Sequence, residues 1–150
     1  MPSIIPSYVY SLFAAIIVGS IIVYACSLST LNIRNAAGTQ QLSNIDEYVA
    51  AQSLTLLTHT TENNQNSTQF LDIPSQIGNQ RFWIRIANDS SSAWVESGFG
   101  TNATSSQPRI YIPAKVDASG IFISGSGRPL LQCHFENQNV TLTLTVSDLG

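Results

Sequence analysis

Charged side chains are scarce in this 150-residue chain: they make up 10% of the residues, where soluble domains average about 25%. Lysine occurs once, at Lys115, and the net charge is -3. No basic stripe is present that would neutralise the phosphates of a nucleic acid. With 43% hydrophobic residues, the chain can bury enough apolar surface to fold. We therefore predict a folded protein with no nucleic-acid partner.

Residues that carry catalysis or bind metals are also few and scattered. The histidines are His59 and His134, and the cysteines are Cys26 and Cys133. Cys133 and His134 are adjacent in a strand-like segment, so they point to opposite faces and cannot share one metal ion. The sequence has no nucleophile elbow, phosphate-binding loop or dinucleotide-binding loop. We predict no enzyme activity, no catalytic residue, no metal, no cofactor and no small-molecule substrate.

The first charged residue is Arg34, which leaves a long uncharged N-terminal segment. Within it, the 24 residues of Tyr8–Leu31 are mostly Val, Ile, Leu, Ala, Phe and Tyr. As a helix they extend about 36 Å, enough to cross a hydrocarbon core of about 30 Å. A cleaved signal peptide would have a basic start and a shorter apolar core. Val23–Cys26 resembles a lipoprotein cleavage site, but the bulky Tyr24 and the missing basic start argue against it.

The orientation signals conflict. Arg34 is the only basic residue near the ends of the apolar segment, and by the positive-inside rule it places the following domain inside. Four N-glycosylation sequons follow the segment, at Asn66, Asn88, Asn102 and Asn139. Together with the low lysine content and abundant Ser, Thr and Asn, they favour an exterior domain. We predict a membrane location with an extracellular domain, or an extracellular filament.

A second helical pattern follows the apolar segment. The apolar residues recur at helical spacing, at Leu42, Ile45, Val49 and Leu56. Asp46, Glu47 and Gln52 lie off this stripe and are expected on the solvent side. The pattern predicts one long helix, or two with a soft joint near Gly38, ending near Thr58. Residues 1–61 therefore form a helical region, with 8–31 as the transmembrane or filament-core part and 42–58 as an amphipathic continuation.

After a polar loop at 62–67 the period changes to two, which is typical of strands. Strand-like segments recur every 8–15 residues, at 69–73, 80–87, 93–96, 109–113, 121–124, 130–136 and 140–146. Residues 68–150 are therefore predicted to form a small antiparallel, β-sandwich-like domain or a curled sheet. The predicted fold class is α+β, with a long hydrophobic N-terminal helix followed by this β-domain.

Small residues form a ridge along the apolar segment. Ser11, Ala15 and Gly19 are four residues apart, a spacing that lets helices pack closely. Such a triplet also arises easily in a segment rich in small residues. As a packing surface, it predicts self-association or docking to partner helices within the membrane.

This layout resembles the type IV pilin superfamily, especially archaeal pilin-like and archaellum-associated proteins. The likeness is in Ala14–Gly19 of the apolar helix and in Phe70–Gly78 followed by the aromatic strand Arg81–Ile86. It implies a structural subunit of a pilus-like archaeal type IV surface filament, whose helices form the core and whose β-domains form the exterior. Met1–Ser7 lacks the basic residue that precedes the cleavage site of pilin precursors, so we expect either that the leader is missing from this sequence or that the protein is an unprocessed relative. The alternative is an unprocessed, membrane-anchored accessory module, similar to archaellum stator proteins, that contacts envelope components through its β-domain.

Overall fold

The computed structural model describes residues 4–104, 108–136 and 139–147. Helix α1 is followed by seven strands. Their bounds are α1 Ile4–Asn63, β1 Ser67–Phe70, β2 Phe82–Asn88, β3 Ala93–Phe99, β4 Ile110–Ile112, β5 Asp117–Ile123, β6 Arg128–Glu136 and β7 Asn139–Ser147. The chain divides into two compact units, Met1–Thr39 and Gln40–Gly150. The predicted α+β class is confirmed.

Helix α1 is continuous through Gly38 and ends five residues later than the predicted Thr58. Side chains bond to backbone carbonyls four residues earlier in the last turns: Thr61 Oγ1 donates to Leu57 O at 2.7 Å, and Asn63 Nδ2 donates to His59 O at 2.9 Å. These bonds satisfy the polar side chains of the last turns, where no apolar residue recurs at helical spacing. The helix then stops at Asn64, whose φ of 50° is left-handed.

The seven strands form one sheet with the order β1-β6-β7-β5-β2-β3-β4. Every neighbouring pair is antiparallel except β5 and β7, which are parallel. Strand β7, the last one described, therefore lies between β5 and β6, which are consecutive in sequence. The parallel pair approaches closely at Gly120, where φ is 134° and a Cβ atom would overlap the Leu144 carbonyl oxygen.

Within the unit 40–150, α1 covers one face of this sheet. Its buried residues pack with inward-facing side chains from the strands; from α1 they include Leu42, Ile45, Val49, Ala50, Leu56 and Leu57. The sheet contributes Phe82, Ile84, Phe122, Leu131, Leu142 and Leu144, among others. The two layers are thus a helix and a single sheet; of the two predicted forms, a sandwich or a curled sheet, only the sandwich would need a second sheet. The helix supplies the apolar layer that a second sheet would otherwise provide.

The opposite face of the sheet is called here the outer sheet face. By strand alternation and register, its central part consists of Trp83 and Arg85 of β2, Trp94 and Glu96 of β3, Tyr111 of β4, Ile121 of β5 and the threonines Thr141, Thr143 and Thr145 of β7. Most of these side chains are half-buried or exposed, because no element of the described chain lies over this face as a second layer.

Candidate assembly surfaces

The apolar segment of α1 is exposed on every side. All side chains from Tyr8 to Ala37 are exposed, including large ones such as Ile21 at 62% and Val23 at 67%. By length and composition, α1 contains a segment long enough and apolar enough to cross a membrane. Burial of each such side chain contributes about 1.5–3 kcal/mol, so a surface of this kind is not stable in water. The segment needs lipid or other helices around it.

Hydroxyl groups in this segment bond to the helix's own backbone. Ser20 Oγ donates to Ile16 O at 2.8 Å, and Thr30 Oγ1 donates to Cys26 O at 2.9 Å. Ser11 Oγ donates in the same way to Tyr8 O at 2.9 Å. A polar group without a partner is costly in hydrocarbon, and these bonds remove that cost. The serines and threonines therefore act as small residues here, as the predicted ridge requires of Ser11.

The predicted ridge lies on one side of α1. Ser11, Ala15 and Gly19 follow each other at one helical turn, so they drift by only about 40° per step. A Cβ atom added at Gly19 would meet no heavy atom within 4 Å. Within a single copy, then, the Cβ position of Gly19 is open. We therefore expect any intolerance of bulk at this position to come from another molecule.

A buried ion cluster lies on the outer sheet face. The Glu96 side chain is fully buried, and both Arg85 and Arg109 form ion pairs with it. The Arg109 guanidinium stacks over the Trp94 ring at 4.5 Å, and Trp94 meets Tyr111 edge-on with ring centroids 6.2 Å apart. The two guanidinium groups shield Glu96 from solvent while their own side chains stay 27–28% exposed. Strand alternation in the sequence indicates which face of the sheet Glu96 lies on, but it does not reveal that Glu96 is buried there.

The tryptophans on this face serve packing. Trp83 is 2% exposed and Trp94 is 8% exposed. The Trp83 ring lies against Gly98, its cross-strand partner, where a Cβ atom would come within 2.8 Å of the ring. Neither ring is open enough to serve as a stacking platform for a sugar. Tyr111, at 58% exposure, is the open aromatic side chain beside them.

A buried carboxyl on α1 contradicts the predicted solvent side of the amphipathic stripe. Asp46 is only 4% exposed, and Ser97 Oγ of β3 donates a 2.6 Å hydrogen bond to its Oδ2 atom. Its Oδ1 atom is buried and accepts no hydrogen bond from another described residue. Burial raises the pKa of Asp46 to about 6, and the negative charge of Glu96 adds to the effect. The buried side of α1 is wider than the predicted stripe and includes Asp46, which lies one turn from both Leu42 and Ala50.

The four sequon asparagines are accessible to different degrees. Asn102 and Asn139 are exposed. Asn66 is exposed too, and its Oδ1 accepts a 2.9 Å hydrogen bond from the Phe135 amide. Asn88 is half-buried, and its Nδ2 donates to Asp117 Oδ1 at 3.2 Å. Since the glycan is attached at Nδ2, the sequon at Asn88 is the least suited of the four to carry one in the folded domain.

A polar cleft of about 260 Å³ lies at one end of the sheet, between Asn88, Lys115, Asp117 and Asn139. Asp89, in its wall, accepts hydrogen bonds from the backbone amides of Ser91 and Ser92. These bonds lower the pKa of Asp89 and close the turn between β2 and β3. Both carboxylates of the cleft are thus engaged within the domain, since Asp89 holds this turn and Asp117 Oδ1 accepts the hydrogen bond from Asn88 Nδ2.

The histidines and cysteines lie apart. His59 Nδ1 is 3.2 Å from Ser67 Oγ, where the end of α1 meets β1. Cys133 is buried beside Thr60, and burial raises the pKa of its thiol. Both Cys26 and Cys133 are free thiols. Among the described residues, no three His, Cys, Asp or Glu side chains are grouped so that they could hold a metal ion.

The described residues therefore offer two candidate surfaces: the exposed apolar segment of α1 and the outer sheet face. The sequence predicts the ridge, which lies within the first surface. It does not predict the ion cluster of the second surface, because that cluster depends on which strands pair. No family model, no curated protein and no solved structure matches the chain.

Proposed function

We propose that the protein is a structural subunit of a pilus-like archaeal type IV surface filament. In this filament the apolar segment Tyr8–Leu31 packs with the same segment of neighbouring copies and forms the core. The β-domain forms the exterior, with its sequons available for glycosylation. Before assembly, the same segment would hold the subunit in the cell membrane.

One observation carries the proposal. The segment is apolar and exposed on all sides, and the helix that contains it continues into the core of a folded domain. A helix of about 36 Å with no apolar partner of its own must be surrounded by lipid or by other helices. The Ser11, Ala15 and Gly19 ridge, with its serine bonded to the backbone, permits close helix approach and favours other helices.

A second candidate is a membrane-anchored accessory module. The observation that favours it is the open outer sheet face, where Tyr111 is 58% and Ile121 is 47% exposed. Large exposed apolar side chains beside arginines are typical of protein-binding surfaces. In that case α1 stays in lipid as a monomer or dimer, and the β-domain binds another envelope component.

Substitution of Gly19 separates the two candidates. Gly19→Leu adds bulk to the ridge, and its Cβ atom has no heavy atom of its own copy within 4 Å outside the local helix backbone. In a filament it should reduce the release of high-molecular-weight filaments from sheared cells at least about tenfold, because each displaced helix contact is costly. A simple anchor would insert normally. The measurement is the amount of this chain in the sheared and the membrane fractions, with its intact mass.

Gly19→Ala is the matched control, since alanine keeps the ridge small and should assemble like the wild type. Normal filaments from Gly19→Leu would refute packing through this ridge. Wild-type protein found only in membranes would instead support the anchored module. Added mass on the released chain would report glycosylation.

A further inference from the structure

The exposed side of α1 within the domain carries acidic residues and no basic ones. Glu47, Leu54 and Glu62 are all exposed there; at about 100° per residue, Leu54 lies about 20° and Glu62 about 60° from Glu47 around the helix. Ala51 and Thr58 lie between them and are exposed as well. We call these five residues the acidic stripe; its two glutamates lie about 22 Å apart along the helix. No Lys or Arg occurs between residues 40 and 80.

The outer sheet face has the opposite character. Four of the six basic residues of the chain belong to this face. Arg85 and Arg128 lie in strands, whereas Arg81 and Arg109 directly precede β2 and β4 and follow the same alternation of faces. Arg81 and Arg128 are exposed at the end where β2 and β6 begin. The acids of this face are the buried Glu96 and, at the opposite end, Asp117 and Glu136. The two exposed arginines, Arg128 at β6 and Arg81 at β2, lie three strand spacings apart, about 14 Å, which fits within the length of the acidic stripe.

The exposed charges of these two surfaces are not neutralised within one copy. Glu47, Glu62, Arg81 and Arg128 form no ion pair with any other residue that the structure describes. Arg128 stacks instead over the Phe70 ring at 4.9 Å, which fixes its guanidinium on the outer sheet face. Both surfaces also expose apolar side chains, with Leu54 in the centre of the acidic stripe and Tyr111 and Ile121 on the sheet.

From this complementarity we infer that the outer sheet face of one copy binds the acidic stripe of a second copy. The inference rests on the proposed filament function and adds a contact between β-domains to the helical core. Because the two surfaces differ, the contact is heterologous: each copy offers one surface to the copy before it and the other to the copy after it. Such a contact does not close into a dimer and can continue into an open helical array.

Charge exchange tests the contact with the full-length chain. Arg81→Glu with Arg128→Glu makes the sheet surface acidic, and Glu47→Arg with Glu62→Arg makes the stripe basic. Each pair of reversals should lower the yield of sheared filaments about tenfold or more, because like charges then face each other. The four changes together restore opposite charges and should recover the yield to within about threefold of the wild type.

Lys115→Glu is the control, because it reverses an exposed charge that lies outside both surfaces. Protease resistance of the β-domain would show that each variant folds. Unchanged yields from both double variants, or no recovery in the fourfold variant, would overturn the inference while leaving the filament function intact. If the wild type forms no filaments, the proposed function fails. Sedimentation of the detergent-solubilised chain at low salt would then test the contact through the same pattern of loss and recovery.

Discussion

At the scale of single residues, Asp46 is the most unusual group in the domain. It is almost fully buried between α1 and β3, and Ser97 satisfies only one of its two oxygens. A protonated carboxyl fits this site better than a carboxylate, because removal of a charge from water is costly without full pairing. The helix is therefore held on the sheet partly by a group whose charge state changes near pH 6.

The pH dependence of stability follows from this site. The unfolded chain, with an ordinary pKa of 3.8 for Asp46, loses its proton at lower pH than the folded protein, whose pKa is about 6. The free energy of unfolding should therefore fall as pH rises from about 4 to 6, by about 3 kcal/mol in total from this group. Asp46→Asn should remove that slope. Urea unfolding in detergent between pH 4 and 7 measures it; an Asp46→Asn protein with the wild-type slope would contradict the assignment.

At the scale of the elements, the alternation of apolar residues predicts all seven strands to within a few residues, because each strand has one face on the core. The order of the strands is not predictable in this way. Alternation gives the face of a residue but not its neighbours, so the pairing of Arg85 and Arg109 with Glu96 cannot be read from the sequence. The sequence wrongly places Asp46 on the solvent side of α1 for a similar reason, because the width of a buried helix face depends on the sheet that covers it.

The parallel contact between β5 and β7 depends on Gly120. A Cβ atom there would overlap the Leu144 carbonyl oxygen and lie 2.7 Å from the Leu144 nitrogen, in addition to the strain of a φ of 134°. Gly120→Ala should lower the free energy of unfolding by about 3 kcal/mol or more, from strain and overpacking together. Chemical denaturation measures the loss.

Gly100→Ala separates the two causes, since Gly100 has a φ of 102° but open space around it. It should cost only the conformational strain, about 1–3 kcal/mol. Equal losses at both positions would show that the close approach of β5 and β7 adds nothing.

At the scale of the whole molecule, β7 joins the two halves of the sheet. Strands β1 and β6 lie on one side of it and β5, β2, β3 and β4 on the other. A chain that ends at Glu136 lacks β7 and should leave the two halves unconnected, so the β-domain should be digested completely in limited proteolysis. A chain that ends at Ser147 keeps every strand and should resist. Equal resistance of the two chains would show that β7 is dispensable.

The central place of β7 also determines when this protein can fold. The strand that connects the sheet is synthesised after the other described strands, so the two halves of the sheet stay unjoined until the ribosome has passed residue 147. During that interval, β1 and β6 on one side and β5, β2, β3 and β4 on the other have no strand between them. The edges of β5 and β6 that later pair with β7 are then unpaired and open to neighbouring chains.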